Sequence, residues 1–420
     1  MPHFCYYADL HVHSHHSYAT SASCTLESLT HWAQLKGINV CGTGDCTHPL
    51  WLAELRAKLI EDAPGLYALK PALLDTVAPV PDSCRAPVRF MVTGEVSSIY
   101  TRGGKTRKVH SLLMLPSLET AERLNARLAA IGNLASDGRP VLGLDPRDLL
   151  SIMLETDPRA VLIPAHIWTP WFSMLGAKSG FDSLAECFGD LSPHIFAVET
   201  GLSSDAPMNH RISFLQDTAL ISNSDLHSPE KLGRNANIFF REQSFDSMMT
   251  GLRLRMPSIC GGTIDLFPEE GKYHHDGHRA CGVRLPPEDS MLRDSICPAC
   301  GKPLTMGVLH RVLELERLLG GPAFPPASIR RRRLPHRYII PLPELIANRL
   351  GLTTTTGKKV TDAYHRTLAR FGPEIPLLID ATRTTLRALD DLGRDIISVR
   401  EGRVTRESGY DGVYGIIRPA

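Results

Sequence analysis

Histidine and carboxylate residues recur along the first part of this 420-residue chain, each close to the end of a short apolar run. The first example is Asp9-Leu10-His11-Val12-His13. Residues two apart in a strand point to the same face, so His11 and His13 aim two imidazoles at one point. Similar side chains follow at Asp45, His48, Glu95, His110, His166, Glu199, Asp225 and His227. Because buried carboxylates and imidazoles are costly unless they are paired or metal-bound, the pattern predicts a site for zinc, manganese or similar divalent ions.

The apolar runs alternate with helical patterns as far as about residue 260. Helices are predicted at 26–36, 49–61, 118–131 and 146–155. This alternation favours parallel strands in an α/β layer or barrel, where active groups gather at the carboxyl ends of the strands. Residues 62–89, rich in Pro and Ala, are predicted to form an inserted loop. His15 and His16 are interpreted as loop residues.

The composition is that of an ordinary globular protein, with 43% hydrophobic and 22% charged residues. No apolar run reaches membrane-spanning length and no signal peptide is evident, so a cytoplasmic protein without a membrane partner is expected. Most of the ten cysteines are scattered, which favours a reducing compartment. The formal net charge of +1 excludes a global basic field, but local basic runs at 102–108 and 330–333 indicate a polyanionic substrate.

A pair of short metal-binding motifs follows residue 260. His278 and Cys281 are separated by two residues, as are Cys297 and Cys300, and the two motifs lie 15 residues apart. This spacing predicts a tetrahedral structural zinc site. His274 and His275 are alternatives to His278 as the fourth ligand.

The rest of the chain is predicted to be mostly helical. A helix over 308–319 ends at Gly320-Gly321-Pro322, and further helices are predicted at 342–350, 358–371 and 385–391. The predicted division is a catalytic domain over 1–260, a zinc-binding module over 261–320 and a helical C-terminal domain over 321–420.

The strand-end motifs are similar to those of the polymerase-and-histidinol-phosphatase (PHP) superfamily, and longer segments resemble the endonuclease Q family. These segments include GTGDCTHPLW at 42–51, WTPWF at 168–172, SNSDLHSPEKLGRNAN at 222–237 and CPACGKPLTMGVLHRV at 297–312. The resemblance covers essentially the whole chain. It implies a distorted (β/α)7 PHP barrel, followed by a small zinc-binding module and a mostly helical C-terminal domain that binds DNA.

The resemblance also implies an activity: a DNA-repair endonuclease that hydrolyses the phosphodiester bond 5′ to uracil, hypoxanthine, xanthine or an abasic site. It implies two to three divalent ions (Zn, Mn or Mg) in the barrel and one structural Zn. His11, His13, Glu95 and Asp225 would hold one barrel ion, and Glu95 would bridge to a second held by His110 and His166. Many PHP enzymes carry a further ligand where this chain has 17–20, so Asp45, His48 and His227 are the candidates for a third ion.

Other residues are predicted to contact DNA. Arg234 and Lys231 would clamp the scissile phosphate, unless they are plain surface charges. An extruded base would stack on aromatic side chains, or these side chains would wedge into the gap that the base leaves in the duplex. The predicted pocket residues are Trp168, Trp171, Phe172, Glu199 and Ser203. Packing at the rim of the barrel is the alternative for the aromatic side chains. Backbone phosphates would be held by Arg102, Lys105, Arg107, Lys108, Arg330 and Arg331.

Two other functions compete with this interpretation. A phosphatase acting on a small phosphate ester would use the same metals but would not need the zinc module, the basic runs or the helical tail. A non-catalytic lesion-binding module would have a degenerate metal site, whereas nearly every expected ligand is present. A sliding clamp or a helicase is a candidate protein partner, in addition to damaged DNA.

Overall fold

Strands and helices alternate through the first part of the chain in the computed structural model, which describes residues 5–321 and 333–420. The strands are β1 (Cys5–Asp9), β2 (Val40–Gly42), β3 (Leu59–Ala63), β4 (Leu66–Leu69), β5 (Arg89–Arg102), β6 (Lys105–Leu115), β7 (Val141–Leu142), β8 (Val161–Pro164), β9 (Ala197–Glu199), β10 (Ala219–Ile221), β11 (Ala236–Phe240), β12 (Cys260–Asp265), β13 (Asp276–His278), β14 (Val283–Leu285), β15 (His336–Tyr338), β16 (Val404–Glu407) and β17 (Ile416–Pro419).

Helices pack around these strands and dominate the C-terminal region. The first nine are α1 (Leu26–Lys36), α2 (Pro49–Lys58), α3 (Leu118–Leu128), α4 (Pro146–Thr156), α5 (Leu184–Phe188), α6 (Ala206–Asn209), α7 (Phe245–Leu254), α8 (Pro287–Met291) and α9 (Val308–Leu318). The C-terminal helices are Leu342–Arg349, Lys358–Phe371, Glu374–Ile379, Arg383–Arg387 and Asp390–Arg400. The predicted α/β region and mostly helical tail are therefore confirmed, although β16 and β17 form a final hairpin that was not predicted.

The central sheet is mixed, so the expectation of parallel strands holds only for part of it. β1 pairs parallel with β2, and β2 with β5, whereas β11 lies antiparallel to β1 and β6 antiparallel to β5. Gly103 and Gly104 join β5 to β6 with φ angles of 61° and 71°. Positive φ at both turn residues suits a tight hairpin and leaves no room for a crossover helix. The basic run at 102–108 therefore lies at the tip of a β-hairpin.

The region predicted as an inserted loop contributes strands to the same sheet. Helix α2 ends at Lys58 rather than at residue 61, because the chain turns directly into β3. β3 pairs antiparallel with β4, and β4 pairs antiparallel with β5. The prediction of a loop over 62–89 is thus wrong for its first part, while short 3-10 turns occupy 71–76 and 82–84.

The predicted ligands lie together because several strands end at the same side of the molecule. Asp9 ends β1, Glu199 ends β9, and short loops carry His166 beyond β8 and Asp225 beyond β10. β9 and β10 form a separate parallel pair. A backbone bridge from Val12 to Leu226 joins the loop after β1 to the loop after β10.

The C-terminal region is packed against the sheet rather than tethered to it. β15 pairs parallel with β12, which itself lies beside β11. Lys36 of α1 forms a buried ion pair with Glu374 at 2.6 Å, and Glu374 also accepts a hydrogen bond from Tyr364. The predicted boundary at residue 260 therefore coincides with a strand of the central sheet. Among the residues described, no helix has the length and apolar character needed to cross a membrane.

Candidate metal centre

Four of the predicted ligands form one buried donor set. The ligand atoms of His11, His13, Glu95 and Asp225 all lie within 4.8 Å of one another. The Nε2 atoms of His11 and His13 are each 3.4 Å from Glu95 Oε2, and His13 Nε2 is 3.1 Å from Asp225 Oδ1. His11 Nε2 is buried and has no hydrogen-bond partner within the described part of the chain. A buried nitrogen without a partner is what a metal ligand looks like when its ion is removed.

Glu95 also belongs to a second donor set. Its Oε1 lies 2.8 Å from His110 Nδ1 and 3.2 Å from His166 Nε2. The two imidazoles are themselves 3.2 Å apart, and all three side chains are buried. One carboxylate oxygen therefore faces each set, an arrangement suited to a carboxylate that bridges two ions.

Glu199 and Asp45 orient the histidines of the first set. Glu199 accepts hydrogen bonds from His11 Nδ1 at 3.0 Å, from the His166 backbone N–H and from Asn223. Asp45 accepts one from His13 Nδ1 at 3.0 Å. Carboxylates in these positions fix the tautomer that leaves Nε2 free for a metal. Glu199 is fully buried and supports the histidines, and its predicted contact with an extruded base stays a prediction.

The predicted third ligand set is not brought together. Asp45 is saturated by hydrogen bonds from Ser14 N, Ser14 Oγ and Ser17 Oγ, in addition to His13. Asp45, His48 and His227 share no donor set within the described residues. The His227 ring instead lies tilted against the His13 ring, with ring centroids 4.7 Å apart. In this structure Asp45 supports His13, and its predicted role as a ligand of a third ion stays a prediction.

The electrostatics of the centre favour cations. Burial opposes protonation of His11, but Glu199 and Glu95 raise its pKa well above the ordinary value. Burial likewise opposes ionisation of Glu95, yet His110, His11 and Arg139 lower its pKa well below the usual range. A cluster of carboxylates that draws protons onto imidazoles also attracts divalent ions, which compete with those protons for the same nitrogen atoms.

Three residues of the centre adopt left-handed backbone conformations. Asp45, His166 and Asp225 have φ angles of 48°, 30° and 47°. Non-glycine residues rarely occupy this region, and such strain concentrates at functional sites where surrounding contacts hold it in place. Arg234 supplies one such contact, because its guanidinium donates to the carbonyl of Ser224 at 2.7 Å.

The cation nearest to the carboxylates is one that the sequence did not single out. Arg139 Nη1 lies 3.2 Å from Glu95 Oε2, and its side chain remains 25% exposed. It follows Gly138, where a Cβ atom would lie 2.3 Å from Asp45 Oδ2, so that only glycine fits. Arg234, predicted to bind phosphate, is committed to backbone carbonyls, whereas the predicted Lys231 is exposed.

The aromatic residues after His166 have different environments. Trp168 is 1% exposed and its indole N–H donates to Asn209, which fits the alternative of packing in the core, while its predicted base contact stays a prediction. Trp171 is 43% exposed and stands edge-on to Tyr273. Phe172 packs against His110, with centroids 5.0 Å apart, and lies under Lys108. Ser203 is half-buried.

The predicted DNA-backbone residues are only partly available. Arg102 pairs with Asp145 at 3.1 Å and Arg107 pairs with Glu186 at 3.1 Å. Lys105 at the hairpin tip is exposed, and Lys108 is half-buried. Arg330 and Arg331 lie outside the described residues.

The predicted zinc ligands form a separate donor set near the surface. His278, Cys281, Cys297 and Cys300 have their ligand atoms within 4.8 Å of one another, and Cys300 Sγ is 3.4 Å from His278 Nδ1. Burial tends to raise the pKa of the Cys297 thiol, yet the N–H groups of Ala299 and Cys300 lower it to about 7. The structure thus brings His278, rather than His274 or His275, to the cysteines.

Known proteins share this architecture over nearly the whole chain. The crystal structure of the lesion-specific endonuclease PfuEndoQ from Pyrococcus furiosus has a TM-score of 0.84 and 30% identity, covering 99% of this chain and 95% of that one. An Endonuclease Q complex with a 27-mer duplex substrate carrying an abasic lesion at the active site has a TM-score of 0.82 and 29% identity, covering 99% and 97%.

Sequence comparisons give consistent relatives. The Bacillus subtilis protein YqxK is 28% identical over 98% of this chain and 99% of its own length. MJ0043 of Methanocaldococcus jannaschii is 32% identical over 60% of this chain, which matches only 31% of that protein. The family model for the MJ0043 C-terminal domain matches residues 341–403. The fold and site thus define an α/β protein with clustered metal-ligand donors. The chain belongs to the endonuclease Q family.

Proposed function

We propose that this protein is a DNA-repair endonuclease that hydrolyses the phosphodiester bond 5′ to deaminated bases and abasic sites. The observation that carries the proposal is the sharing of Glu95 between two buried donor sets at the strand ends. Full-length similarity to a lesion-specific endonuclease and to an Endonuclease Q bound to lesion-containing duplex DNA supports the substrate class.

The residues present fit two divalent ions. His11, His13, Glu95 and Asp225 would hold one, and Glu95, His110 and His166 the other. Imidazole and carboxylate donors suit Zn²⁺ or Mn²⁺. Bound divalent ions would supply charge neutralisation at the phosphate and an activated water near neutral pH. A third ion is not part of the proposal, because Asp45 is taken up by its own hydrogen bonds.

Protein side chains would complete the phosphate site. Arg139 reaches Glu95 while part of it stays exposed, so it can turn a donor toward a phosphate oxygen. Arg234 holds the backbone of Ser224 and would keep the neighbouring Asp225 in position. Arg139 is thus the phosphate-binding residue in this proposal, and Arg234 is a positioning residue.

An extruded base needs a cavity and a surface for the remaining duplex. A cavity of about 650 Å³ between helix α1, the loop after β10 and the C-terminal helices is lined by Arg234, Lys231 and Tyr364. This volume is within the usual range for small-molecule pockets. Trp171 is exposed on the loop after His166, where it can stack against or replace the extruded base.

The surrounding regions would hold the duplex. Lys105 and Lys108 on the β5–β6 hairpin are placed to contact backbone phosphates in a salt-dependent manner. The cysteine donor set would bind a structural zinc ion. We retain the division into a catalytic barrel of PHP type, a zinc module and a C-terminal DNA-binding domain as part of this proposal.

The test is nicking of an end-labelled duplex that contains one deoxyuridine, one deoxyinosine or one abasic site, with and without Mn²⁺ or Mg²⁺. We expect a metal-dependent cut one bond 5′ to the lesion, which the Asp225→Ala variant does not make. An undamaged duplex is the control. Absence of cutting on every damaged duplex, together with metal-dependent turnover of a generic phosphate ester, would replace this proposal with a small-molecule phosphatase.

A further inference from the structure

Two histidines and one glutamate meet outside the catalytic centre. The ligand atoms of His15, His16 and Glu54 lie within 4.8 Å of one another. His15 Nε2 is 3.9 Å from Glu54 Oε2. This separation is too long for a hydrogen bond. Two ligands of a tetrahedral zinc ion lie about 3.3–3.6 Å apart, so a small movement of either side chain would place both on one shared ion.

The other polar atoms of these side chains are already engaged in the way that metal ligands usually are. His15 Nδ1 lies 3.3 Å from the carbonyl oxygen of Cys24 and can donate to it, which leaves Nε2 facing Glu54. Glu54 Oε1 is 2.8 Å from Lys58 Nζ, so only Oε2 faces the histidine. The edge of Trp51 packs against His15 at 5.4 Å. Partners of this kind orient ligating side chains and fix their tautomers.

A neighbouring side chain independently indicates a place for a ligand. His48 is 5% exposed, and its Nδ1 has no hydrogen-bond partner in the parts of the chain that are described. Its ring stacks on His16, with centroids 4.3 Å apart and an interplanar angle of 22°. Buried polar atoms are almost always satisfied, so the unmatched nitrogen on a ring that stacks on His16 indicates that a ligand binds in this region.

We propose that His15, His16 and Glu54 bind a divalent ion such as Zn²⁺, Ni²⁺ or Co²⁺ at a site separate from the catalytic centre. Two imidazoles and one carboxylate are an established zinc donor set with one position left open. The ion joins the loop after β1 to helix α2. That loop also carries Ser14 and Ser17, which hold Asp45, so the ion stabilises the support of His13.

Metal counting on the full-length protein tests the proposal without any assay of DNA cleavage. Wild type and the variants His16→Gln, Glu54→Gln and His194→Gln are loaded with Zn²⁺, dialysed and analysed by mass spectrometry for bound metal. His194 is exposed and belongs to none of the donor sets found among the described residues, so His194→Gln is the matched control. We expect His16→Gln and Glu54→Gln each to hold one equivalent less than wild type and the control.

A second readout separates loss of the site from loss of folding. Zinc that binds only the folded protein raises the unfolding midpoint. Added Zn²⁺ should therefore raise this midpoint further in wild type and His194→Gln than in the two site variants, which should keep the wild-type circular dichroism spectrum. Equal metal content and equal zinc-dependent shifts in all four proteins would overturn the proposal, whatever the result of the nicking assay.

Discussion

The two main donor sets of this protein are built in opposite ways. The centre around Glu95 draws side chains from segments that span residues 11 to 225, all within or beside the central sheet. The cysteine set lies within residues 278 to 300, and His278 and Cys300 are partly or fully exposed. The first is held by the fold, since Glu199, Asp45 and Arg139 contact its members directly. The second set is formed by two short motifs that are close together in the sequence.

Because of this difference, we assign a catalytic role to the centre around Glu95 and a structural role to the cysteine set. A centre whose ligands are held by surrounding hydrogen bonds is organised before its ions bind, and such preorganisation is what catalysis requires. The short cysteine set near the surface becomes ordered when it binds its metal, so the free energy of metal binding contributes to the free energy of folding. Changes in the first set should therefore reduce activity more than stability, and changes in the second set should do the reverse.

The largest effect is expected from Glu95→Gln. The amide cannot bridge two cations, and it leaves Arg139 without its carboxylate. We expect the nicking rate to fall by at least about 10³-fold, since even one lost electrostatic stabiliser costs about 10²–10³-fold. The amount of metal bound at the Glu95 centre should fall as well. The control is Glu122→Gln, which changes an exposed residue. Near wild-type nicking by Glu95→Gln would refute the shared-carboxylate centre.

Arg139→Met should give the next largest effect. Its loss removes the cation closest to the scissile phosphate in our proposal, and we expect kcat/KM for lesion cleavage to fall by about 10²-fold. Arg123→Met, which alters an arginine that is 55% exposed, is the matched control. Single-turnover nicking separates this loss from weaker binding, which fluorescence anisotropy measures. An unchanged single-turnover rate would remove Arg139 from the phosphate site.

Cys297→Ser tests the other half of the comparison. We expect loss of one zinc equivalent and a fall in the unfolding midpoint of about 5 °C or more, because a structural ion contributes directly to folding. Metals at the Glu95 centre should be retained. Cys5→Ser, at an exposed cysteine outside both sets, should change neither quantity. Retained zinc with an unchanged midpoint in Cys297→Ser would show that the four residues do not form a structural site.

The smallest effect concerns a buried carboxylate without cationic neighbours. Burial raises the pKa of Asp265 to about 7, and its Oδ1 has no partner among the residues described. The folded protein therefore binds a proton more tightly than the unfolded chain, so stability should fall as pH rises from about 4 to about 7. Asp265→Asn should flatten this dependence by a few degrees in the unfolding midpoint.

The control for this pH dependence is Asp75→Asn, because Asp75 is exposed. The control should follow wild type across the same pH range. The pKa of Asp265 is raised by burial, whereas the pKa of Glu95 is lowered by neighbouring cations. If Asp265→Asn also retained the wild-type pH dependence, this contrast would lose its basis.

Strand ends that carry histidine and carboxylate side chains predicted a divalent-metal site at one edge, and the family resemblance implied its division into two donor sets that share Glu95. The sequence did not predict Arg139, which reaches Glu95 from a loop 44 residues further along the chain. Ser14 and Asn223 were also missed, since hydrogen bonds to Asp45 and Glu199 depend on tertiary contacts. Side-chain direction in irregular loops has no periodic signal, which is why Trp168 and Trp171 could not be distinguished. The mixed sheet was missed because alternation of strands and helices does not reveal strand direction.

The central claim is that Glu95 is shared by two catalytic metal ions. Crystals of the full-length protein soaked in Mn²⁺ and measured at the manganese absorption edge test it directly. We predict two anomalous peaks on either side of the Glu95 carboxylate, about 3.5–4 Å apart as in other two-metal hydrolases. One peak should contact His11 and His13, and the other should contact His110 and His166. A single peak, or peaks that do not touch Glu95, would contradict the account.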